Sequence, residues 1–250
     1  GGDDVGVESM GAIGDVAGVF DMTAALLGHP NLASKAWIVR QYDHEVQGSS
    51  VLKPLVGEPV GTSGGGPGDA AVIRPKKGSD RALAIGNGLA TGLASEPYAM
   101  AIAAIDECVR NLVCVGADPT RIAILDNFCW PSCDDPRNMG ALVRAAEACL
   151  DGALAYRAPF LSGKDSLKNE YKGADRRIVI PPTLLISAIG IVHDVRKALS
   201  MDLKGTGNLL YLVGETQTAL AGSQYHALHK VEGGDAPQVD TTKALNIYKT

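Results

Sequence analysis

The sequence predicts an α/β protein, with a mixed sheet and helices, and three observations carry that prediction. A buried apolar run, Ile122-Ala-Ile-Leu-Asp126, is followed by a helix signal reaching about Tyr156 and then by a second short run, Ala158 to Leu161. A strand, a helical crossover and a second strand imply a parallel or mixed sheet, because parallel neighbours cannot be joined by a tight turn. Upstream, residues 97–116 repeat Ile102, Ile105, Val109 and Leu112 at intervals of three and four, the period of one helix face. Downstream, Leu184 to Val192 reads as a long strand with Ser187 and Gly190 inside it.

In chain order, residues 1 to about 20 are rich in glycine and acidic side chains without a sustained period, so they read as a linker or tail. Met22 to Leu27 makes a short helical run that Gly28-His29-Pro30 stops, since proline bars continuation. The chain proper begins around Trp37. A Gly/Pro-rich loop from Gly57 to Asp69 feeds the strand Ala70-Ala71-Val72-Ile73, with Ala82 to Gly86 as a candidate hairpin partner. Asp134, Asp135 and Pro136 supply an N-cap signal and a first-turn proline for the helix that follows. Its inward side is expected to carry Met139, Leu142, Val143, Ala146, Leu150 and Leu154. Leu209 to Val213 reads as a further strand and Ala219 to Leu228 as a helix after it, beyond a boundary near Gly205-Thr206-Gly207.

Composition narrows the function classes. Of 250 residues 46% are hydrophobic, enough to bury a core and too many for a disordered chain. Lys and Arg number 23 against 28 Asp and Glu, a net charge of −5, so no global positive field exists to hold a phosphate backbone and nucleic acid is not expected as a partner. The longest apolar run, Thr183 to Val192, is about half of the ~20 residues a membrane-spanning helix needs, so no membrane partner is expected either. Five cysteines without a disulfide-scaffold spacing fit a reducing, cytoplasmic setting. No secretory signal is visible, and a start at Gly1 without methionine is what a fragment or processed piece would show.

The helix at 98–115 is the most informative element for chemistry. Glu107 and Asn111, one turn apart, project away from its large aliphatic residues among Met100, Ala103, Ala104 and Cys114. A carboxylate and an amide oxygen so placed suit a hard cation such as Mg²⁺, which shares its oxygen ligands with phosphates. The competing reading pairs Glu107 with Arg110 or a neighbouring loop. Ser162 to Ser166, SGKDS, reads as a turn leaving the end of a strand, where Lys164 and backbone amides are a common phosphate grip. It lacks the upstream glycine of a Walker A loop, and Asp165 follows the lysine, so a solvated reverse turn is an equal reading. Asp43 and Asp69, at the mouths of strands or loops, serve either as metal ligands or as plain Asx turns or caps. Cys129 and Cys133 have no second Cys or His pair nearby, which argues against zinc. No Ser/His/Asp or Cys/His set can be assembled from His29, His44, His193, His226 and His229, which disfavours hydrolysis by a triad.

Taken in order, RQYDHEVQGSSVLKPL, GDAAVI, DECVRNLVCVGADP, LDNFCWP, LVRAAEACLDGALAYRAPFLSGKDSLKNEY, IPPTLLISAIGIVHDVRKALSMDLK and GNLLYLVGET resemble the second half of the bacterial formylglycinamide ribonucleotide amidotransferases, or phosphoribosylformylglycinamidine synthases. These belong to the aminoimidazole ribonucleotide synthetase superfamily, and the resemblance covers about residues 22–250. It implies two related halves, each an N-terminal and a C-terminal α/β domain, with the N-terminal domains pairing their sheets into a barrel-like pseudodimer. On that pattern residues 1–35 are a linker or tail with a short helix, 36–204 the second N-terminal domain, and 205–250 the start of a truncated C-terminal domain. The implied activity is a carbon–nitrogen ligase of purine biosynthesis. It converts formylglycinamide ribonucleotide, ATP and glutamine-derived ammonia to the amidine, with Mg²⁺ and cationic groups around the transferred phosphoryl group. The implied partners are ATP or ADP, the first half of the same synthetase, and a glutaminase subunit or domain, in a pseudodimer or homodimer.

Residue by residue, Asp43 resembles the family's Mg-coordinating Asp, and Glu107 with Asn111 resembles the helix pair that binds Mg²⁺ at the nucleotide phosphates. Asp69 falls at the second Asp of a GDDAAV motif, and Lys164, Asp165 and Ser166 match a GKDS turn bordering the ligand cleft. Asn111 stands where sister families carry Asp, which lowers the ligand charge. Nothing matches the family's catalytic histidine, which belongs to the first half, and Gly28-His29-Pro30-Asn31 is only a superficial likeness. No catalytic residue is therefore assigned, and the segment is expected to bind Mg-nucleotide without turnover alone. A structural or oligomerisation half with a vestigial nucleotide site is the alternative, and a stand-alone small-molecule kinase is a third reading.

Overall fold

The computed structural model describes residues 16–57 and 65–250. Residues 1–15 of the expected tail and 58–64 of the Gly/Pro-rich loop lie outside the described residues. The helices and strands run α1 (Val16–Gly28), α2 (Ala36–Val39), β1 (Ser50–Leu52), β2 (Leu55–Val56), β3 (Gly66–Pro67), β4 (Ala71–Ile73), β5 (Ala82–Leu89), α3 (Pro97–Cys114), β6 (Ile122–Cys129), α4 (Pro136–Tyr156), β7 (Phe160–Ser166), β8 (Glu170–Lys172), β9 (Arg177–Val179), β10 (Thr183–Val192), α5 (Gln224–His229) and α6 (Thr241–Tyr248). Six strands form one mixed sheet in the order β1-β4-β5-β10-β6-β7. Every neighbouring pair is antiparallel except β6 and β7, the two joined by the α4 crossover. Among the described residues no helix is long and apolar enough to cross a membrane.

Glycine decides where α3 lies. Along β10, Leu184, Ile186, Ala188, Gly190 and Val192 are buried and alternate with half-buried residues, so only one face of the sheet is fully covered. On that face Gly88 of β5 and Gly190 of β10 remove the side chains beneath α3. A Cβ on Gly88 would sit 2.0 Å from the Ala104 carbonyl oxygen, and one on Gly190 would sit 2.9 Å from Leu112 Cδ2. The helix settles into this trough, and Met100, Ala101, Ala104, Ile105, Cys108 and Leu112 lose all exposure to solvent.

The next helix packs on α3 through small residues, which corrects the expected inward face of α4. Its start is as the sequence predicts: the Asp135 carboxylate caps it by accepting from the Arg137 N–H at 2.9 Å, with Pro136 in the first turn. Its buried residues, however, are Ala145, Ala148, Cys149, Gly152 and Tyr156. A Cβ on Gly152 would meet Ile105 Cδ1 at 2.6 Å. The bulk in this contact comes from Ile102 and Ile105 of α3, so α4 must present its small side. Met139, Val143, Leu150 and Leu154 are left 44%, 49%, 60% and 68% exposed, Ala146 is exposed, and Leu142 is half-buried.

Other boundaries move for identifiable reasons. Val16 to Phe20, read as tail, belongs to α1, which ends at Gly28 as expected. The SGKDS segment is not a turn but the body of β7, because its parallel ladder with β6 runs from Phe160 to Ser166. Leu209 to Val213 forms no strand and is 72–85% exposed, since no described strand pairs with it. The helix expected at 219–228 is confined to α5, capped by Ser223, and α6 was not foreseen.

A buried carboxylate holds α6 in place. Asp106 is 1% exposed and accepts hydrogen bonds from the Tyr156 hydroxyl, from the Tyr248 hydroxyl at 2.8 Å, and from the Arg110 guanidinium. Arg110 Nε also donates to the Tyr248 oxygen at 3.0 Å. Residues from α3, α4 and α6 thus share one carboxylate. Replacing Asp106 with Ala should cost about 2–3 kcal/mol in chemical denaturation, because it strands the Tyr156 and Tyr248 hydroxyls while the half-exposed Arg110 keeps access to water, whereas Tyr248→Phe should cost about 1 kcal/mol.

A second carboxyl contact sits at the sheet edge. Asp126 lies over Gly163, where a Cβ would be 2.4 Å from its Oδ1, and stands close enough to the Asp165 carboxyl on β7 for the two to interact. Burial, then the Asp165 contact, raise the Asp126 pKa. A carboxyl with a raised folded-state pKa contributes stability at acid pH, and that contribution is lost as pH rises. Asp126→Asn should therefore melt above the parent at neutral pH, with the gap closing toward about pH 4, as thermal scans across that range would read.

Candidate functional site

The cleft grows out of an interrupted ladder. β4 pairs with β5 only through Ala71 to Ile73 opposite Ile85 to Leu83, so the end of β5 beyond Ile85 lacks its neighbour on that side. Two side chains of α3 take over its backbone groups. The Leu89 N–H donates to Glu107 Oε2 at 2.7 Å, and Asn111 Nδ2 donates to the Asn87 carbonyl at 2.9 Å. These contacts use one atom of each side chain. Among the described residues the second Glu107 oxygen and the Asn111 amide oxygen have no hydrogen-bond partner.

Both side chains border a hollow of about 400 Å³, together with Asp69, Gly68, Gly88, Leu185 and Met201. Glu107, Asn111 and Asp69 are all half-buried, neither immersed in solvent nor pressed into the apolar layer. Burial, then the nearby Asp69 carboxylate, push the Cys114 thiol upward, which places Asp69 beside the outer turn of α3. Two carboxylates and an amide oxygen around one hollow are a hard, oxygen-only donor set. Among the described residues no three His, Cys, Asp or Glu side chains are grouped to hold a metal ion. An ion such as Mg²⁺ takes part of its oxygen shell from phosphate and water.

The other candidates stand elsewhere. Asp43 is exposed on a loop, where its Oδ1 accepts from the Glu45 N–H at 2.7 Å, an Asx turn. Lys164, Asn127, Leu185 and Leu89 lie in one row across β7, β6, β10 and β5, which puts Lys164 three strands, ~14 Å, from Leu89. Its ammonium group donates to Ser166 within the strand. Asp165 falls in the neighbouring row and contacts Asp126. Asp69, Glu107 and Asn111 are thus brought together; Asp43, Lys164, Asp165 and Ser166 are not. Leu185 and Met201 reach the hollow from a strand and a loop far along the chain, and no local sequence signal marks them. The Cys108 and Cys149 thiols are pushed up to about 12, chiefly by burial, and act as packing groups rather than nucleophiles.

With this geometry in place, likeness to known proteins is informative. Residues 67–192 match the AIR synthase related protein, N-terminal domain. The chain is 34% identical over 236 residues to phosphoribosylformylglycinamidine synthase subunit PurL of Gloeobacter violaceus, covering 89% of this chain and 29% of that protein. To the subunit of the same name from Methanocaldococcus jannaschii it is 36% identical over 233 residues, covering 90% and 29%. The solved structure of PurLQS from Thermotoga maritima superposes with a TM-score of 0.54 at 25% identity, over 69% of this chain and 25% of that one. The chain spans less than a third of the length of these curated relatives. The family match takes in half of the sequence and includes the strands and helix that build the cleft, so the chain belongs to the AIR synthase related family.

Proposed function

We propose that this chain is part of a phosphoribosylformylglycinamidine synthase, the glutamine-dependent carbon–nitrogen ligase of purine biosynthesis, and that it supplies a Mg-nucleotide site. Identity to the PurL relatives supports the ligase reading. The observation that carries the site is the placement of Asp69, Glu107 and Asn111 around one hollow, with an oxygen of Glu107 and of Asn111 left without a partner among the described residues. These residues would hold Mg²⁺, which when bound offsets the charge of nucleotide phosphates. Gly68 and Gly88 keep the walls low, and Glu107 and Asn111 are held at fixed orientation by the β5 backbone. The polyphosphate is ATP or ADP in this reading, Asp43 and the SGKDS strand stay outside the site, and turnover requires the first half of the synthetase and a glutaminase.

Thermal shift measurements with MgADP test this. An intact site at about 100 times its Kd stabilises the fold by ~2.7 kcal/mol. Glu107→Gln keeps an acceptor for the Leu89 N–H but removes the charge, and should abolish the shift while leaving the ligand-free melt nearly unchanged. No shift in the parent chain would instead favour the structural reading, in which this half only completes an assembly.

The uncovered sheet face supports a second part of the proposal. Ile85 and Leu89 of β5 are 41% and 48% exposed there, beside the half-buried Leu185, Ile189 and Ile191 of β10, on the side away from α3 and α4. We read this face as the one that meets the sheet of the other half in a barrel-like pseudodimer, and Leu209 to Val213 as a strand awaiting the rest of the C-terminal domain. The isolated chain should then self-associate in light scattering, and Ile85→Asp with Leu89→Asp should return it to monomer; a strictly monomeric parent chain would count against the barrel.

A further inference from the structure

We infer that a second hollow, at the opposite end of the sheet, binds a small phosphorylated anion. It occupies about 570 Å³ and opens where β5 begins and β10 ends, ~17 Å along β5 from Gly88. That volume lies in the small-molecule range of about 300–1,000 Å³. Its floor is apolar, from Leu83 and Ile191, and its rim carries Lys76, Arg81 and Arg121. None of these three cations makes an ion pair or a side-chain hydrogen bond among the described residues.

Two of the cations, Arg121 and Arg81, are tied through their backbone. The Arg121 N–H donates to the Asp118 carbonyl at 3.0 Å and the Arg121 carbonyl accepts from the Ile191 N–H at 3.2 Å, while the Asp118 N–H donates to the Ile191 carbonyl at 2.9 Å. The turn is thereby clamped to the end of β10. Arg81 is anchored through its N–H, which donates to Ser79 Oγ at 3.0 Å. Among the described residues one carboxylate lines the hollow, that of Asp118, and it is already engaged. It accepts from the Thr120 hydroxyl at 2.7 Å, the Thr120 N–H at 2.8 Å and His193 Nε2 at 2.9 Å. Three cations against one engaged carboxylate leave a local positive charge in a chain whose net charge is −5. Guanidinium forks match phosphate oxygens in pairs, and the apolar floor suits the non-ionic part of the same molecule. A concave pocket with an apolar base favours a small ligand over a nucleic acid strand, which would meet the acidic remainder of the surface.

Inorganic pyrophosphate titrated into the full 250-residue chain by calorimetry, in EDTA so that the Glu107 cleft holds no divalent ion, is the test. Saturable one-to-one binding is expected. Arg81→Ser with Arg121→Ser should weaken it by about tenfold or more, and Glu107→Gln should leave it unchanged. Both arginines are exposed, so the variant should keep the parent's melt; Lys76→Glu gives an independent check. Absence of saturable binding, equal binding by the charge-removed variants, or tighter binding of a short single-stranded RNA than of pyrophosphate would each overturn the inference. The chelator and the Glu107 variant separate this result from the fate of the Mg-nucleotide proposal.

Discussion

Everything in the cleft depends on how closely α3 approaches the sheet. Over Gly88 the helix backbone itself comes within a side-chain radius of β5, and over Gly190 the Leu112 side chain does the same at β10. At that distance a glutamate and an asparagine are long enough to reach the β5 backbone and still border the hollow. A larger residue at either glycine would lift the helix and withdraw both groups together. Because a helix turns ~100° per residue, the adjacent Asp106 points the other way, into the contact with Tyr156 and Tyr248. Two neighbouring carboxylates therefore serve different ends, one fastening three helices and the other lining a hollow.

Much of this was legible in the sequence, and the failures share a cause. The phase of α3 follows from Ile102, Ile105, Val109 and Leu112, and the same phase puts Glu107 and Asn111 on one side. The start of α4 follows from Asp135 and Pro136. Periodicity alone, however, cannot decide between two apolar faces of one helix, and α4 has both a large-residue face and a small-residue face. The partner decides, and the bulk of Ile105 selects alanine and glycine. SGKDS departs from its expected turn for a related reason: glycine, lysine and aspartate carry turn propensity, whereas ladder hydrogen bonds from β6 override it. Met201 and Leu185 join the hollow through tertiary folding that no local pattern records.

The two ends of the sheet differ in charge. One end gathers Asp69 and Glu107, the other Lys76, Arg81 and Arg121, so a net charge of −5 conceals a polarised molecule. Composition argued against a nucleic acid partner on the whole-chain balance, and that argument does not extend to the local field at the basic end. The family match covers both ends, since residues 67–192 include Asp69, Glu107 and Arg121 alike.

The way β5 ends has a mechanical consequence. On the side away from β10 its last residue is held by a side chain instead of a strand, so whatever tugs on Glu107 also tugs on the amide of Leu89. The residues just beyond run through a 3₁₀ turn at Thr91–Leu93 into α3, so a displacement of Glu107 reaches the Leu89 amide and the strand-to-helix connection together.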